Sequence, residues 1–226
     1  VRNCDEYNVA SVNLSLGLTV PGTNISYNDT KPYTSWMSDE FVSLKSNGVF
    51  VCAAAGNSYW NYDPQQGVGY PASDPNVFAV SSVYTDDRGG PLRGNGAIDY
   101  STSQDAIAAS SQRSTSLTDV FAPGGKVYSG VNGNDYDWFS GTSMASPQVA
   151  GFAAIAQEAA MEYLGRKLSV DELSKIITDN ADTIYDGDDE KDNVVNTNSY
   201  YKRINFEESL KAIEAMSVDS GVVATI

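Results

Sequence analysis

Ser143 is the residue of this chain that is best placed to act as a nucleophile. It lies in the segment Ser140-Gly-Thr-Ser-Met-Ala-Ser-Pro147, where a glycine turn leads into an alanine-rich apolar stretch. The apolar pattern predicts a helix over about residues 142–164, with Pro147 tolerated because it is close to the helix start. The first turn of a helix carries unpaired backbone N–H groups and the positive end of the helix dipole. Negative charge that develops beside Ser143 would therefore be stabilised.

Four short motifs, in the order in which they occur, resemble those of the subtilisin-like serine proteases, the subtilase family. The motifs are Ser15-Leu-Gly17, Ala54-Ala-Gly-Asn57, Gly69-Tyr-Pro71 and Gly141-Thr-Ser-Met-Ala-Ser-Pro-Gln-Val-Ala-Gly151. The last resembles the nucleophile motif of the family, which usually has histidine where this chain has Gln148. The resemblance extends over about residues 9–216. It implies an α/β fold with a parallel β-sheet flanked by helices in three layers, of which the chain carries the C-terminal portion.

The resemblance implies catalytic roles for two residues. Ser143 matches the nucleophile, and Asn57 matches the asparagine whose side-chain N–H binds the oxyanion of the tetrahedral intermediate. A carboxamide suits that task because it is a neutral, directed donor where negative charge develops. In a subtilisin, removal of the matching asparagine donor has been measured to cost about 2.7–4 kcal/mol of transition-state stabilisation.

The same resemblance implies a substrate cleft. The segment Ser15, Leu16 and Gly17 matches a strand end that forms one wall, where exposed backbone groups pair with an extended peptide. Gly69 matches the bottom of the pocket for the side chain that precedes the scissile bond, and Ala54, Ala55 and Gly56 match its lining. A glycine floor and small walls leave a roomy slot, so we expect large apolar or aromatic side chains there.

A structural calcium site is also implied. Some subtilases bind calcium through backbone carbonyls at positions that match Pro75 and Val77 and through a carboxylate that matches Asp119. Oxygen ligands from a loop and one acid suit a hard cation. The alternative is that Asp119 only caps a turn.

The chain contains no histidine. A serine hydrolase needs a base near neutral pH, and histidine is the usual one. The first hypothesis is therefore a serine endopeptidase that forms an acyl-enzyme on Ser143, with the catalytic His and Asp supplied by an N-terminal half on a separate chain. On this hypothesis the chain is inactive by itself. The alternatives are a catalytically silent module that binds peptides or proteins, and a non-proteolytic acyl hydrolase.

Composition narrows the class of protein. The 226 residues are 41% hydrophobic and 19% charged, with a net charge of −15, which is typical of a globular chain and argues against nucleic acid and anionic membranes as partners. A secreted or cell-surface protein fits this composition. We expect one domain portion over residues 1–216 and a linker or tail over residues 217–226. Cys4 and Cys52 could pair, but the position of Cys52 inside an apolar strand favours separate fates.

Periodicity predicts the remaining elements. Buried strands are expected at residues 9–16, 49–55, 77–84 and 117–122, with a helix at 35–47 that makes the first two strands parallel. A hairpin is expected over 127–139, and Ser169-Val-Asp-Glu172 is a capping box that begins a later helix. Residues 58–68 are expected to form a rim loop, and the acidic run 186–192 a solvated loop. Triplets at Asn24 and Asn28 fit glycosylation acceptors.

Overall fold

The computed structural model describes residues 3–4, 6–18, 37–62, 65–187 and 191–220. The triplets at Asn24 and Asn28 and the end of the predicted tail at 221–226 lie outside these ranges. In chain order, the strands are β1 (Ser11–Leu14), β2 (Phe50–Ala54), β3 (Phe78–Val83), β4 (Leu92–Gly94), β5 (Ala97–Asp99), β6 (Val120–Pro123), β7 (Val127–Val131), β8 (Asp135–Phe139), β9 (Asp182–Asp186) and β10 (Ser199–Arg203). The helices are α1 (Ser38–Ser46), α2 (Tyr59–Tyr62), α3 (Thr142–Leu164), α4 (Val170–Asp179) and α5 (Phe206–Ser220).

A six-stranded sheet in the order β1-β2-β3-β6-β10-β9 forms the centre of the fold. In this sheet β1, β2, β3 and β6 run parallel, β10 runs parallel to β6, and β9 pairs antiparallel with β10. The strands β4 and β5 form a separate antiparallel hairpin, as do β7 and β8. The predicted α/β class with a mostly parallel sheet is thus confirmed. The strand β1 lies at one edge, with its outer side unpaired among the described strands.

The side chains of the strands alternate between two cores. On β2, Phe50 and Cys52 face α3, α4 and α5, whereas Val51 and Ala53 face α1. Because both faces of the sheet are buried, its strands have nearly continuous apolar sequences, and this made them easy to predict. Helices on both sides of one sheet give the three layers that were expected.

The helix predictions are also confirmed. The helix α3 occupies residues 142–164, and α4 begins at a complete capping box in which Ser169 and Glu172 satisfy each other's backbone N–H groups. The helix α5 continues to Ser220, past the start of the tail predicted at residue 217. None of the helices in the described ranges combines the length and apolarity that crossing a bilayer requires.

Two sequence expectations were wrong at particular residues. Tyr59, expected in a rim loop, is fully buried in α2, and Asp186, expected in a solvated loop, is fully buried at the end of β9. Both surround Arg113, whose guanidinium forms two hydrogen bonds to Asp186 at 2.8 and 3.0 Å and lies 3.8 Å from the centroid of the Tyr59 ring. A buried arginine needs such partners because an unpaired charge in the core is very costly.

The two cysteines are free. Cys52 is buried beneath the start of α3, where burial raises the pKa of its thiol to about 11. The thiol is therefore protonated at neutral pH and acts as a small apolar group. Separate fates for Cys4 and Cys52, which the sequence favoured, agree with this arrangement.

Candidate active site

Ser143 lies in the first turn of α3 and is partly exposed. Gly141 precedes the helix with φ 144°, a conformation that an L side chain rarely adopts, so the sharp entry depends on glycine. Within the described residues, the Ser143 hydroxyl has no hydrogen-bond partner. Its backbone N–H lies in the first turn of the helix, where N–H groups have no carbonyl acceptor within the helix. Both groups are thus available to a bound molecule.

Pro147 and Ser15 together shape the backbone at this helix start. Pro147 has no N–H, so the Ser143 carbonyl, which lies four positions before it, lacks its usual helical partner. The Ser15 hydroxyl donates to that carbonyl at 2.7 Å. The predicted cleft wall is therefore bonded directly to the residue that carries the candidate nucleophile.

The side chain of Asn57 lies against the residue before Ser143. Its Oδ1 accepts hydrogen bonds from the backbone N–H of Thr142 at 2.9 Å and from the Thr142 hydroxyl at 3.1 Å. Because a backbone N–H can only donate, the atom of Asn57 that faces it must be the oxygen. The NH₂ group of Asn57 consequently points the other way and makes no hydrogen bond among the described residues. The sequence assigned no role to Thr142, which fixes this orientation.

A cavity of about 220 Å³ opens beside Ser143 and Asn57. Every residue predicted to bind substrate lines it, together with both predicted catalytic residues. The predicted residues in the lining are Ser15, Leu16, Gly17, Ala54, Ala55, Gly56, Asn57, Gly69 and Ser143. Residues from four separate parts of the chain thus meet at one cavity, at the carboxyl ends of parallel strands β1 and β2, where ligands of α/β sheets usually bind.

Two carboxamide residues in the lining were missed by sequence reasoning. Gln112 is buried, and its side chain lies so close to Gly56 that any β-carbon there would collide with it. Asn95 donates from Nδ2 to the Asn57 carbonyl at 2.9 Å. The Asn95-Gly96 pair between apolar residues is a hairpin signal that could have located the second of them.

A second cavity of about 620 Å³ lies on the other side of Ser143. It is bounded by the β7–β8 hairpin and by one face of α3. Gln148, which replaces the usual histidine of the motif, donates from Nε2 to the Pro123 carbonyl and is one of its walls. Among the described residues, neither cavity is lined by a charged side chain.

The three residues predicted to bind calcium line a common, smaller cavity of about 150 Å³. Asp119 accepts a hydrogen bond from the Ala79 N–H at 2.7 Å, and burial raises the pKa of its carboxyl to about 6. Lys45 also lines this cavity and pairs with Asp171 at 2.6 Å. The described residues contain no group of three acidic, histidine or cysteine side chains that could hold a metal ion. The other carboxylate that lines this cavity, Asp171, is the one paired with Lys45.

A family model described as the subtilase family matches residues 6–205. The chain belongs to the subtilase family. It is 38% identical over 144 residues to the halolysin-like extracellular serine protease Nep of Natrialba magadii, and 33% identical over 144 residues to subtilisin DY of Bacillus licheniformis. Both matches cover 64% of this chain, but only 21% of Nep and 41% of subtilisin DY. The chain therefore spans less than half the length of either relative.

Solved structures agree on the fold. The self-cleaved protease domain of PatA superposes with a TM-score of 0.63 at 19% identity, covering 95% of this chain and 65% of that one. The prenylagaramide maturation protease PagA gives a TM-score of 0.62 at 22% identity, over 94% of this chain and 64% of that one. This subtilase chain thus has the fold of about two thirds of each of these protease domains.

Proposed function

We propose that this subtilase chain is the nucleophile-bearing portion of a serine endopeptidase. The observation that carries the proposal is the pairing of Asn57 Oδ1 with Thr142, because it leaves the Asn57 NH₂ as an unpaired donor at the cavity that Ser143 also lines. A nucleophile, a side-chain donor and an unpaired helical N–H at one cavity are the parts that acyl transfer needs.

In the proposed reaction, the Ser143 oxygen attacks the peptide carbonyl carbon and its proton passes to an imidazole from outside these 226 residues. The Asn57 NH₂ and the Ser143 N–H donate to the resulting oxyanion. The imidazolium then protonates the leaving amine, and an acyl-enzyme remains on Ser143. Water, deprotonated by the same base, releases the acid. An aspartate from the same outside segment orients the imidazole.

The proposed substrate is an extended peptide or protein segment. Its backbone would lie along Ser15, Leu16 and Gly17, which follow the end of β1 and line the cavity. The side chain before the scissile bond would enter the pocket that Gly69 closes. Backbone pairing makes binding tolerant of sequence, whereas this pocket selects one side chain.

We propose that the base comes from an N-terminal half of the protease domain, as a separate chain. Three features support a missing partner: the unpaired edge of β1, the cavity between Ser143 and the β7–β8 hairpin, and the exposed outer face of α3. On that face Ile155 and Met161 are 54% and 49% exposed, beside the exposed small residues Gly151 and Ala154. Glu158 and Glu162 are exposed on the same face, so its apolar side chains are interspersed with charge, and the bare strand edge, which invites pairing, is the strongest of the three features.

A catalytically silent module is the second candidate. One observation favours it: the chain has no histidine, and the Ser143 hydroxyl makes no hydrogen bond to any described residue. Such a module would still hold peptides along the same wall. A non-proteolytic acyl hydrolase would need the same missing base, so that observation does not favour it.

A structural calcium ion at Pro75, Val77 and Asp119 belongs to the proposal. The desolvated carboxyl of Asp119 supports it, because a bound cation would replace the lost hydration. Its role would be to rigidify the loop before β3. Secretion is also proposed, because Nep, to which the chain is similar, is an extracellular protease.

Hydrolysis by the complete purified protein tests the proposal. We expect cleavage of an unfolded protein substrate, loss of at least about 10³-fold in kcat for Ser143→Ala, and no loss for Ser46→Ala, an exposed control on α1. Intact mass and N-terminal sequencing should find a histidine-bearing segment in the active sample. A homogeneous chain that binds peptides but cleaves none would support the silent module instead.

A further inference from the structure

The β4–β5 hairpin reaches the pocket that selects the substrate side chain. Its turn residues Asn95 and Gly96 have φ values of 50° and 88°, which fits a type I′ turn. We propose that Asn95 is a specificity-determining residue that selects a carboxamide side chain, glutamine or asparagine, before the scissile bond. This inference rests on the proposed function, since it names the side chain that the same cleft accepts.

The hairpin is held firmly in place. Asn193 donates from Nδ2 to the Gly96 carbonyl at 3.0 Å and accepts on Oδ1 from the Ile98 N–H at 2.7 Å. Asp99 accepts from the Ala109 N–H at 2.8 Å and from the Tyr84 hydroxyl at 2.9 Å. These contacts fix the turn and β5, so the hairpin is preorganised and little ordering cost falls on substrate binding.

Only one half of the Asn95 amide is occupied. Its NH₂ donates to the Asn57 carbonyl at 2.9 Å, which fixes which way the amide points. Its Oδ1, by contrast, accepts no hydrogen bond within the described ranges, and the residue lines the cavity. The pocket therefore offers a fixed acceptor to whatever side chain enters.

The acceptor changes the expected occupant. Gly69, Ala54, Ala55 and Gly56 alone suggested a large apolar side chain. Asn95 is an exposed residue, so water can pair with its oxygen before a substrate binds, and an apolar side chain would displace that water without replacing its hydrogen bond. A site with a committed polar group discriminates strongly against a ligand that cannot pair with it. An ammonium or guanidinium would also donate, but no carboxylate among the described residues lines the cavity to compensate the buried charge. An uncharged carboxamide meets both conditions.

Product peptides give a test that does not need catalysis. The complete protein is titrated calorimetrically with N-acetyl tetrapeptides that differ only in a C-terminal Gln, Met, Glu or Lys. We expect the Gln peptide to bind about tenfold more tightly than the Met and Glu peptides, which lack the donor, and more tightly than the Lys peptide. Equal binding, a preference for Met or Lys, or no binding of any peptide would overturn the inference.

Asn95→Gly removes the side chain and keeps a residue that tolerates positive φ. We expect it to reduce the preference for Gln over Met to about one. Asn134→Gly, a matched change at φ 59° in the turn of the β7–β8 hairpin, should keep the wild-type ratio. An unchanged ratio in Asn95→Gly would rule Asn95 out.

The two proposals fail separately. Preference for Gln peptides without hydrolysis would leave the inference standing and refute the endopeptidase. Hydrolysis with the same kcat/KM for Gln and Met substrates would refute the inference and leave the endopeptidase. A drop in kcat for all substrates in Asn95→Gly would further show that the bond to the Asn57 carbonyl positions the oxyanion donor.

Discussion

At the residue scale, the orientation of one amide decides what the cavity can do. Asn57 is held by two donors of Thr142, so its oxygen is used and its NH₂ is free. The carbonyl of the same residue is held by Asn95. Fixing both ends of Asn57 preorganises a donor at the place where an oxyanion would form, and preorganised donors cost no rearrangement during the reaction.

Asn57→Asp tests this donor with almost no change in shape. The carboxylate still accepts from Thr142 but cannot donate, so transition-state stabilisation is lost while the fold is kept. We expect kcat to fall about 10²–10³-fold with little change in KM, as measured for the matching asparagine of a subtilisin. Asn132→Asp, at an exposed turn, is the control. A rise in KM with unchanged kcat would instead indicate that Asn57 contributes to substrate binding, and would argue against the oxyanion role.

Asp119 makes stability depend on pH. Burial raises the pKa of its carboxyl from 3.8 to about 6, so the folded state binds the proton more tightly than the unfolded state. The contribution of this group to the free energy of unfolding is therefore greatest below about pH 4 and is lost as pH rises through about 6, by about 3 kcal/mol.

Asp119→Asn should abolish this loss in the presence of a calcium chelator, because the amide oxygen can still accept from Ala79. Denaturant unfolding at pH 4 and pH 7 measures it. If calcium binds as proposed, added calcium stabilises the wild type at pH 7 and not the variant. Identical pH dependence in both proteins would contradict the assignment to Asp119.

At the element scale, the start of α3 depends on a bond from outside the helix. Pro147 removes the N–H that would bind the Ser143 carbonyl, and the Ser15 hydroxyl supplies a donor instead. Because Pro147 leaves this carbonyl without a helical donor, Ser15 of the cleft wall can form a hydrogen bond to the helix there. A position that would be a defect in an isolated helix here links two parts of the site.

A double-mutant cycle tests this link. Ser15→Ala should lower the free energy of unfolding by about 0.5–1.5 kcal/mol, because the Ser143 carbonyl loses its donor. In the Pro147→Ala background the new N–H at residue 147 can bind that carbonyl, so the same change should cost almost nothing. Additive effects of the two changes would mean that they do not act on one carbonyl.

The Arg113–Asp186 pair joins the long segment before β6 to the end of β9. Both side chains are completely buried, and Asp186 also accepts from the Thr197 N–H at 2.8 Å. The loop that carries Gln112 to the cavity is thereby fixed to the far side of the sheet. Such a pair positions a segment, although its net contribution to stability can be small.

Arg113→Met should be severely destabilising, by about 3–5 kcal/mol, because it leaves the Asp186 carboxylate buried without a cation. Arg166→Met removes a similar two-pronged pair with Glu172, but at an exposed site, and should leave the free energy of unfolding nearly unchanged. Guanidinium denaturation of the two variants measures the difference. Similar small effects in both would mean that Asp186 is reached by water.

At the scale of the whole molecule, charge and exposed apolar surface point to different partners. The net charge of −15 repels nucleic acid and anionic surfaces. The exposed face of α3 and the free edge of β1 are instead suited to another protein segment. Changing Ile155 to Glu should weaken the association with a histidine-bearing segment, measured by sedimentation, without unfolding the chain, because this side chain is exposed here.

Much of this arrangement could be predicted from sequence. The buried strands and α3 could be predicted because each is a continuous apolar segment. The motifs that carry Ser143 and Asn57 are long enough to be specific. The sequence therefore predicted nine of the residues that line the cavity, but not Asn95, Gln112 or Thr142. The catalytic and binding roles of the nine remain predictions.

What could not be predicted depends on contacts between residues that are distant in the chain. Arg113 and Asp186 look like solvated charges, because nothing local shows that each has a buried partner. Asn95 lies in a polar stretch that resembles an ordinary loop, and its contact with the Asn57 carbonyl arises only from the fold. The hydrogen bond from Ser15 to the Ser143 carbonyl, which replaces the donor that Pro147 lacks, likewise joins residues that are far apart in the chain.

Mapping of a covalent adduct tests whether Ser143 is the nucleophile of this site. The complete protein is treated with a serine-directed phosphonate, digested, and the modified residue is located by mass spectrometry. We expect a single adduct on Ser143, formed only while the histidine-bearing segment is present and lost in Ser143→Ala but not in Ser46→Ala. No adduct on Ser143 in a sample that contains that segment, or an adduct on another serine, would contradict it.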